Sequence, residues 1–259
     1  MISTTNRYSD YELFAQIYNK PSKQITKWEK ILPLLEKLLL QYLPEQAHVL
    51  DLCCGGGQLA QKLLARGYQV TGLDGSEEML KYARENAPQA KFILEDARSF
   101  KLPFTFDAVT STSFALNHMM SIEELEVVFS NVYKVLRNDG RFVFDLRLEE
   151  WVEDWKNSAI NASIAEGYVK DDDVFCMRDT YNPEDKVGRK YMTTFQLLEN
   201  QWQRLDFTLL FRIYSLAEIK TALAKVGFTK VEIYDLERDF GVDGRAGHTA
   251  FICRKPLNT

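Results

Sequence analysis

The sequence predicts an α/β protein, a mostly parallel sheet with helices on both faces. From residue 47 onward, short β-rich runs alternate with stretches of helical apolar spacing. The acids Asp51, Asp74 and Asp96 fall at the ends of the first three runs, and Gly55, Gly56 and Gly57 follow the first run closely. Open α/β sheets bind ligands outside the carboxyl ends of their strands, where strand order reverses, so these residues belong on one rim. A single aspartate at such a place often only caps a turn, but three in register mark the rim itself.

The elements follow in order. HVLDL is the first strand, and the helix after the glycines carries Leu59, Leu63 and Leu64 and stops at Gly67. YQVTGLD is the second strand, followed by a helix from Ser76 with Glu77 and Glu78 in its first turn and Pro88 beyond its end. KFILED and FDAVTST are the third and fourth strands. Between FDAVTST and the fifth strand, RFVFDL, lies the clearest helix, with Ser121 and Glu124 as a capping box and Gly140 as its stop. Before this core, residues 10–43 are expected to be helical, with Ile25, Trp28, Leu32, Leu35, Leu39 and Tyr42 as an apolar stripe and a break or kink at Pro33. After it, DVFCMRDTY, GRKYMTTFQLL and WQRLDFTLLFRIY read as a three-stranded antiparallel sheet joined by NPEDKVG and ENQ. A helix, LAEIKTALAKVGF, and a closing strand pair, KVEIYDL and HTAFICRK, complete the chain. With no repeat or low-complexity linker, one domain is expected: a helical cap over 1–44, a core over 45–146 and 215–259, and an inserted lid over 147–214.

Composition narrows the function. The chain has 259 residues, 46% of them apolar, enough for a substantial core. A net charge of −5 and a pI near 5.4 oppose the clustered lysines and arginines that phosphate neutralisation needs, so no nucleic-acid partner is expected. The start, MISTTNRYSDYELF, lacks the features of a secretion signal. The greasiest stretch, ILPLLEKLLLQYL, is interrupted by Pro33, Glu36 and Lys37, so no membrane span is expected. Cys53, Cys54, Cys176 and Cys253 show no C-x-x-C spacing and read as reduced thiols in a cytoplasmic protein, a monomer or homodimer. Adjacent Cys53 and Cys54 are poorly placed to share one metal, and His48, His118 and His248 form no ligand-spaced cluster with them, so no metal is expected.

The stretch VLDLCCGGGQLA raises the question of the ligand. Gly55, Gly57 and Ala60 satisfy G-x-G-x-x-A, and Asp74 follows Gly55 by 19 residues, which meets the dinucleotide fingerprint. That match alone is weak. Asp51, beside the loop, would repel a pyrophosphate and favour an ammonium group, and Glu95 and Asp96 would offer a carboxylate to an adenine amine. A ligand with adenosine, a carboxylate, an ammonium and no pyrophosphate fits this pattern better than NAD, and S-adenosylmethionine is such a ligand.

These residues resemble the motifs of class I S-adenosylmethionine-dependent methyltransferases. VLDLCCGGG resembles the first motif, hydrophobic-D-L-G-C-G-x-G; TGLDGSEEML, ILEDARSF, FDAVTSTSFALNHM and VYKVLRNDGRFVFDL resemble the next four, in family order, over residues 47–146. The resemblance implies a Rossmann-like, seven-stranded sheet whose seventh strand runs antiparallel to the rest. It also implies that Gly55 and Gly57, with Cys53 in the turn, contact the methionine portion, and that Asp74 binds both ribose hydroxyls. Met79 or Gly75 would lie near the adenine, Asp96 and Ala97 at its edge, and Ser111 to Ser113 beneath the sulfonium. Cys53 departs from the family pattern, which has glycine there. YELFAQIY and the inserted strands are similar to the small-molecule branch that includes amino-sugar N-methyltransferases, in which an N-terminal tyrosine segment closes over the cofactor and the sheet roofs the acceptor. Tyr11, Phe14 and Tyr18 match that segment.

The implied reaction is methyl transfer to a nitrogen or oxygen of a small-molecule acceptor, an in-line displacement in which positioning contributes about 7 to 11 kcal/mol. A base matters only where the acceptor must lose a proton. His118 is the best-placed ionisable group for that task, and a structural histidine in the pocket wall is its alternative. Tyr11 and Tyr18 either orient the methyl group or belong to the core. Arg204 and Arg212 either bind an acceptor carboxylate or phosphate or lie on a solvated strand face. His48 precedes the first strand and reads as structural, while the role of His248 stays open. Three other functions remain: a nucleic-acid methyltransferase, disfavoured by charge and by STSFALNH where an N-P-P-Y motif would stand; an NAD-dependent oxidoreductase; and a non-catalytic cofactor-binding module.

Overall fold

Strand β1 (His48–Leu52) pairs in parallel with β2 (Gln69–Asp74) on one side and β4 (Phe106–Ser111) on the other. The computed structural model describes residues 7–19, 31–103, 105–151, 166–242 and 247–257. Outside β2 lies β3 (Lys91–Leu94), and outside β4 lies β5 (Leu136–Arg147), both parallel to their neighbours. The closing strands β10 (Thr229–Asp235) and β11 (His248–Arg254) complete a seven-stranded sheet in the order β10-β11-β5-β4-β1-β2-β3. Strand β11 runs antiparallel to both neighbours, as the sequence motifs imply. The chain leaves β1 toward β2 and β3 and returns to β4 on the opposite side, which opens a crevice at the carboxyl ends of β1 and β4.

Both faces of this sheet are buried, so its strands carry apolar residues at successive positions. Leu50, Val109, Phe142 and Phe251 turn to one face, against α5 (Ile122–Val135) and α6 (Leu216–Val226). Val49, Ala108, Val143 and Ile252 turn to the other, against α3 (Gln58–Leu64) and the helical residues 31–38, here α2. The stripe on α2 consists of Ile31, Leu34, Leu35 and Leu38, with Leu39 just beyond. Tyr42, expected in that stripe, is instead 55% exposed, because the chain tightens into a short 3-10 turn at Leu40–Tyr42 and turns the ring outward under the Arg141 guanidinium. Pro33 sits inside the described helical stretch 31–38, and Ile25 and Trp28 lie outside the described residues.

Two helix signals resolve differently from expectation. Helix α5 ends at Val135 and β5 begins at once, so Gly140 is inside a strand and is no helix stop; Leu136 pairs with Phe106 of β4 before the glycine is reached. The capping box at Ser121 is only half made. Ser121 accepts the Glu124 N–H at 3.2 Å, but the Glu124 carboxylate turns to the Met120 N–H and to Arg98. The complete box is at Ser215 and Glu218, at the start of α6.

The inserted sheet has four strands where three were expected. β7 (Asp173–Asn182), β8 (Val187–Leu198) and β9 (Gln201–Arg212) form the antiparallel meander, and β6 (Glu166–Val169) adds an edge to β7. EGYV is too short to show an alternating pattern, and it forms a strand because pairing with β7 satisfies its backbone. The inner face of this sheet packs Phe175, Met192, Phe207 and Leu209 against Ile17 of α1 (Arg7–Tyr18). Among the described residues, no helix is long and apolar enough to cross a membrane.

Gly57 shows how tightly the crevice is built. It precedes α3 with φ of 74°, and a Cβ there would stand 2.8 Å from the Ala83 Cα of α4 (Glu77–Asn86). Gly57→Ala is therefore expected to lower stability by about 2 to 4 kcal/mol, combining backbone strain with overpacking. Gly67→Ala, at φ of 85° with nothing within 4 Å, should cost only about 1 to 2 kcal/mol, and urea midpoints of the two variants measure the difference.

Candidate active site

The crevice is lined on one side by the turn after β1, with Cys53 and Gly55, and by Asp74, Gly75, Ser76 and Met79 at the end of β2. Asp96, Ala97 and Arg98 stand after β3, and Thr112, Ser113 and His118 after β4. Tyr11, Phe14 and Tyr18 of α1 supply a further wall. The space, open mouth included, amounts to about 950 Å3. Of the residues singled out from sequence, Asp51, Gly57 and Ser111 are not on its wall. Asp51 is 2% exposed within β1 and accepts from the Thr110 hydroxyl at 3.4 Å, Ser111 is fully buried, and Gly57 serves helix packing.

Asp74 joins the two ligand-facing turns. Its Oδ2 accepts the Gly55 N–H at 2.8 Å, and its Oδ1 accepts the Ser76 N–H at 3.0 Å. Burial raises its pKa from the ordinary carboxylate value, against the lowering effect of hydrogen bonds from Gly55, Ser76 and Gly75. A carboxylate has about four acceptor positions, so beside these three donors one remains for a hydroxyl group of a ligand. Ser76 also caps α4, taking the Met79 N–H on its hydroxyl at 3.1 Å.

Cys53 occupies the position of a family glycine with φ of 57°, a conformation that costs a side-chain-bearing residue about 1 to 2 kcal/mol. Its thiol lies on the crevice wall, while Cys54 packs away from it against Leu80, Ala83 and Phe92. Burial, reinforced by the negative charges of Asp74 and Asp51, pushes both thiols well above their usual range, so neither is a ready nucleophile or metal ligand.

The carboxylate of Asp96 is engaged by Arg98, a residue that the sequence reading overlooked. Arg98 Nε lies 3.0 Å from Asp96 Oδ1 and its Nη2 lies 2.6 Å from Oδ2, while Nη1 reaches Glu124 at 2.8 Å. Only the adjacent sequence D-A-R hinted at this, since Glu124 arrives from a distant helix. Arg204 and Arg212 do not line the crevice: Arg204 pairs with Asp206 on the outer sheet, and Arg212 lies over Tyr214.

His118 meets the edge of Tyr11, with ring centroids 5.4 Å apart, and its Nδ1 lies 2.7 Å from the Leu210 carbonyl oxygen. That oxygen can only accept, so Nδ1 carries the proton and Nε2 is an acceptor. Burial lowers the pKa to about 4. The imidazole is therefore neutral near pH 7 and a weak base. The preceding turn places Ser113 and Phe114 consecutively at positive φ, 69° and 49°. Asp145 holds it by accepting the Phe114 N–H at 3.1 Å, and the Arg147 guanidinium covers the Phe114 ring at 4.4 Å. His248 belongs to this support: buried, it contacts Asp145 at 3.3 Å and meets Phe114 edge-on. His48 stands at the opposite end of β1, bonded to Thr71.

Residues 49–140 match the sequence profile of a methyltransferase domain. The turns bearing Cys53, Gly55, Asp74, Asp96, Ser113 and His118 all fall inside this domain, whereas α1 and the four-stranded sheet lie outside it. The chain is 26% identical over 240 residues to the putative methyltransferase YqeM of Bacillus subtilis, covering 89% of this chain and 90% of that one. It shares its fold with an S-adenosylmethionine-dependent methyltransferase of Clostridium acetobutylicum at a TM-score of 0.76, with 21% identity over 95% of this chain and 99% of that one. It also shares the fold of CalS10, an amino pentose methyltransferase of Micromonospora echinaspora solved with S-adenosylmethionine, at a TM-score of 0.70, with 19% identity over 95% of this chain and 96% of that one.

The protonation state of His118 is measurable. A ring-nitrogen NMR titration should find it neutral throughout pH 5 to 8, with a midpoint at about 4. The unfolded imidazole titrates near 6.5, so the unfolded chain binds the extra proton first. Stability should be insensitive to this group above pH 6.5 and fall as pH drops from 6.5 toward 4. His118→Asn should flatten that slope in pH-dependent urea melts.

Proposed function

We propose that the chain transfers the methyl group of S-adenosylmethionine to an amine nitrogen of a small-molecule acceptor. The observation that carries this reading is Asp74: a half-buried carboxylate on the wall of the switch-point crevice, fixed by Gly55, Ser76 and Gly75 N–H groups and keeping an acceptor position for a ribose hydroxyl. The rest of the wall fits the same ligand. Gly75 and Met79 offer the adenine a surface beside Asp74, and Ala97 lies toward its edge.

When bound, S-adenosylmethionine supplies an electrophilic methyl group on a sulfonium, and the residues of the chain align the acceptor and exclude water. Cys53 and Gly55 would flank the methionine end, with Thr112 and Ser113 across from them. Tyr11 and His118 would hold the acceptor. Neutral His118, with Nε2 as a hydrogen-bond acceptor, can orient an N–H of an amine but is too weak a base to strip a hydroxyl at the moment of attack. An amine brings its own lone pair once its excess proton has gone to water, and this favours nitrogen over oxygen. The fold shared with an amino pentose methyltransferase supports the same choice.

Thermal shift with S-adenosylhomocysteine and NAD side by side tests the cofactor. S-adenosylhomocysteine at 100-fold over its Kd should stabilise by about 2.7 kcal/mol, a rise of about 5 °C or more, and Asp74→Ala should abolish it. Stabilisation by NAD alone would overturn the reading.

A further inference from the structure

Helix α1 reaches the crevice as a strap fastened at its middle and just past its end. At mid-helix, the Glu12 carboxylate straddles the first turn of α4: Oε1 accepts the Glu77 N–H at 3.2 Å and Oε2 accepts the Glu78 N–H at 3.0 Å. Just past its end, Asn19 Oδ1 accepts from Gln58 Nε2 at 2.7 Å, and Asn19 lies so close to the glycine turn that a Cβ on Gly56 would stand 1.7 Å from that oxygen. Phe14 and Tyr18, between the fasteners, and Tyr11, just before the first, wall the crevice. The strap is thus tied to the two segments whose turns Asp74 joins.

Three carboxylates gather at the start of α4, yet Glu12 alone is aimed at its N–H groups. Glu77 is drawn aside by Arg84 at 2.8 Å and Glu78 by Lys81, which leaves the partial positive charge of the helix end to Glu12. Two charge-assisted hydrogen bonds from one carboxylate make a specific tie. It is also breakable, because both N–H groups and the carboxylate can rehydrate when α1 lifts. A ligand bonded to Asp74 and packed under Tyr18 leaves by way of that motion.

We propose that Glu12 is a positioning residue whose tie to the first turn of α4 sets how long a ligand remains in the crevice, with Asn19 as the second fastener. The ligand half of this inference rests on the cofactor reading above; the fastening half concerns the free protein. Two measurements separate them. Hydrogen–deuterium exchange of residues 7–19 in the ligand-free chain reports strap opening, and stopped-flow release of S-adenosylhomocysteine reports residence.

Glu12→Gln, which loses the charge and one acceptor oxygen, should raise strap exchange and speed release about tenfold while leaving the exchange of β1 and β4 unchanged. Glu12→Asp, which keeps the charge on a shorter arm, should recover part of both effects, whereas a purely structural role would follow global stability in both variants. Asp74→Ala should abolish binding without loosening the strap. Strap exchange and release in Glu12→Gln within twofold of the parent would overturn the proposal. If the parent did not bind S-adenosylhomocysteine, the cofactor reading would fall and strap exchange alone would decide the tie.

Discussion

The hydrogen bonds from Gly55 and Ser76 to the half-buried carboxylate of Asp74 are the constraint on which the crevice depends. Parallel pairing of β1 and β2 brings the two strand ends to the same height, but the turns beyond them have no ladder to hold them. Asp74 supplies the link by accepting one N–H from each turn. Burying an acid in this way costs solvation, as its raised pKa records, and the backbone donors offset that cost. The carboxylate thus holds the site together and presents acceptors to it.

Strain collects around this link on the ligand-facing side. Cys53, Ser113 and Phe114 all take positive φ without being glycine, and each lies on or beside the crevice wall. Such residues persist only where their surroundings over-determine them. For Phe114 the surroundings are identifiable: Asp145 on its N–H, Arg147 over its ring and His248 at its edge. Arg147 also reaches Asp179 of the inserted sheet at 3.5 Å, and Asp179 is paired with buried Lys190 at 2.9 Å. The turn that carries His118 is consequently braced from both sheets, although the family profile covers only the first.

Much of the site was legible because its chemistry is local in sequence. Gly55, Asp74, Asp96 and Ser113 sit at or just beyond strand ends, and the alternation of strands and helices alone puts strand ends on one rim. The misplacements have a common origin. Asp51 is one residue short of the end of β1 and Ser111 is the last residue of β4, and both remain buried in the ladder, a difference of register that composition does not reveal. Gly57 looked like a ligand contact because it completes a glycine motif, yet it is needed by Ala83, a residue on another helix. Glu124 looked like half of a capping box and is instead claimed by Arg98, which reaches it from a turn 26 residues earlier.

By itself the sequence determined the α/β class, the order of the core elements, the antiparallel seventh strand and the rim on which the functional residues lie. The class, the element order and the rim follow from periodicity and strand-end chemistry, which are properties of neighbouring residues, and the antiparallel seventh strand from the resemblance of the motifs to class I methyltransferases. Only the tertiary structure decided the fourth strand of the inserted sheet, the engagement of Asp96 by Arg98, the burial that leaves His118 neutral and a weak base, and the tie of Glu12 to α4. Each of these depends on a partner far away in the chain, and on desolvation, which exists only once the elements have packed.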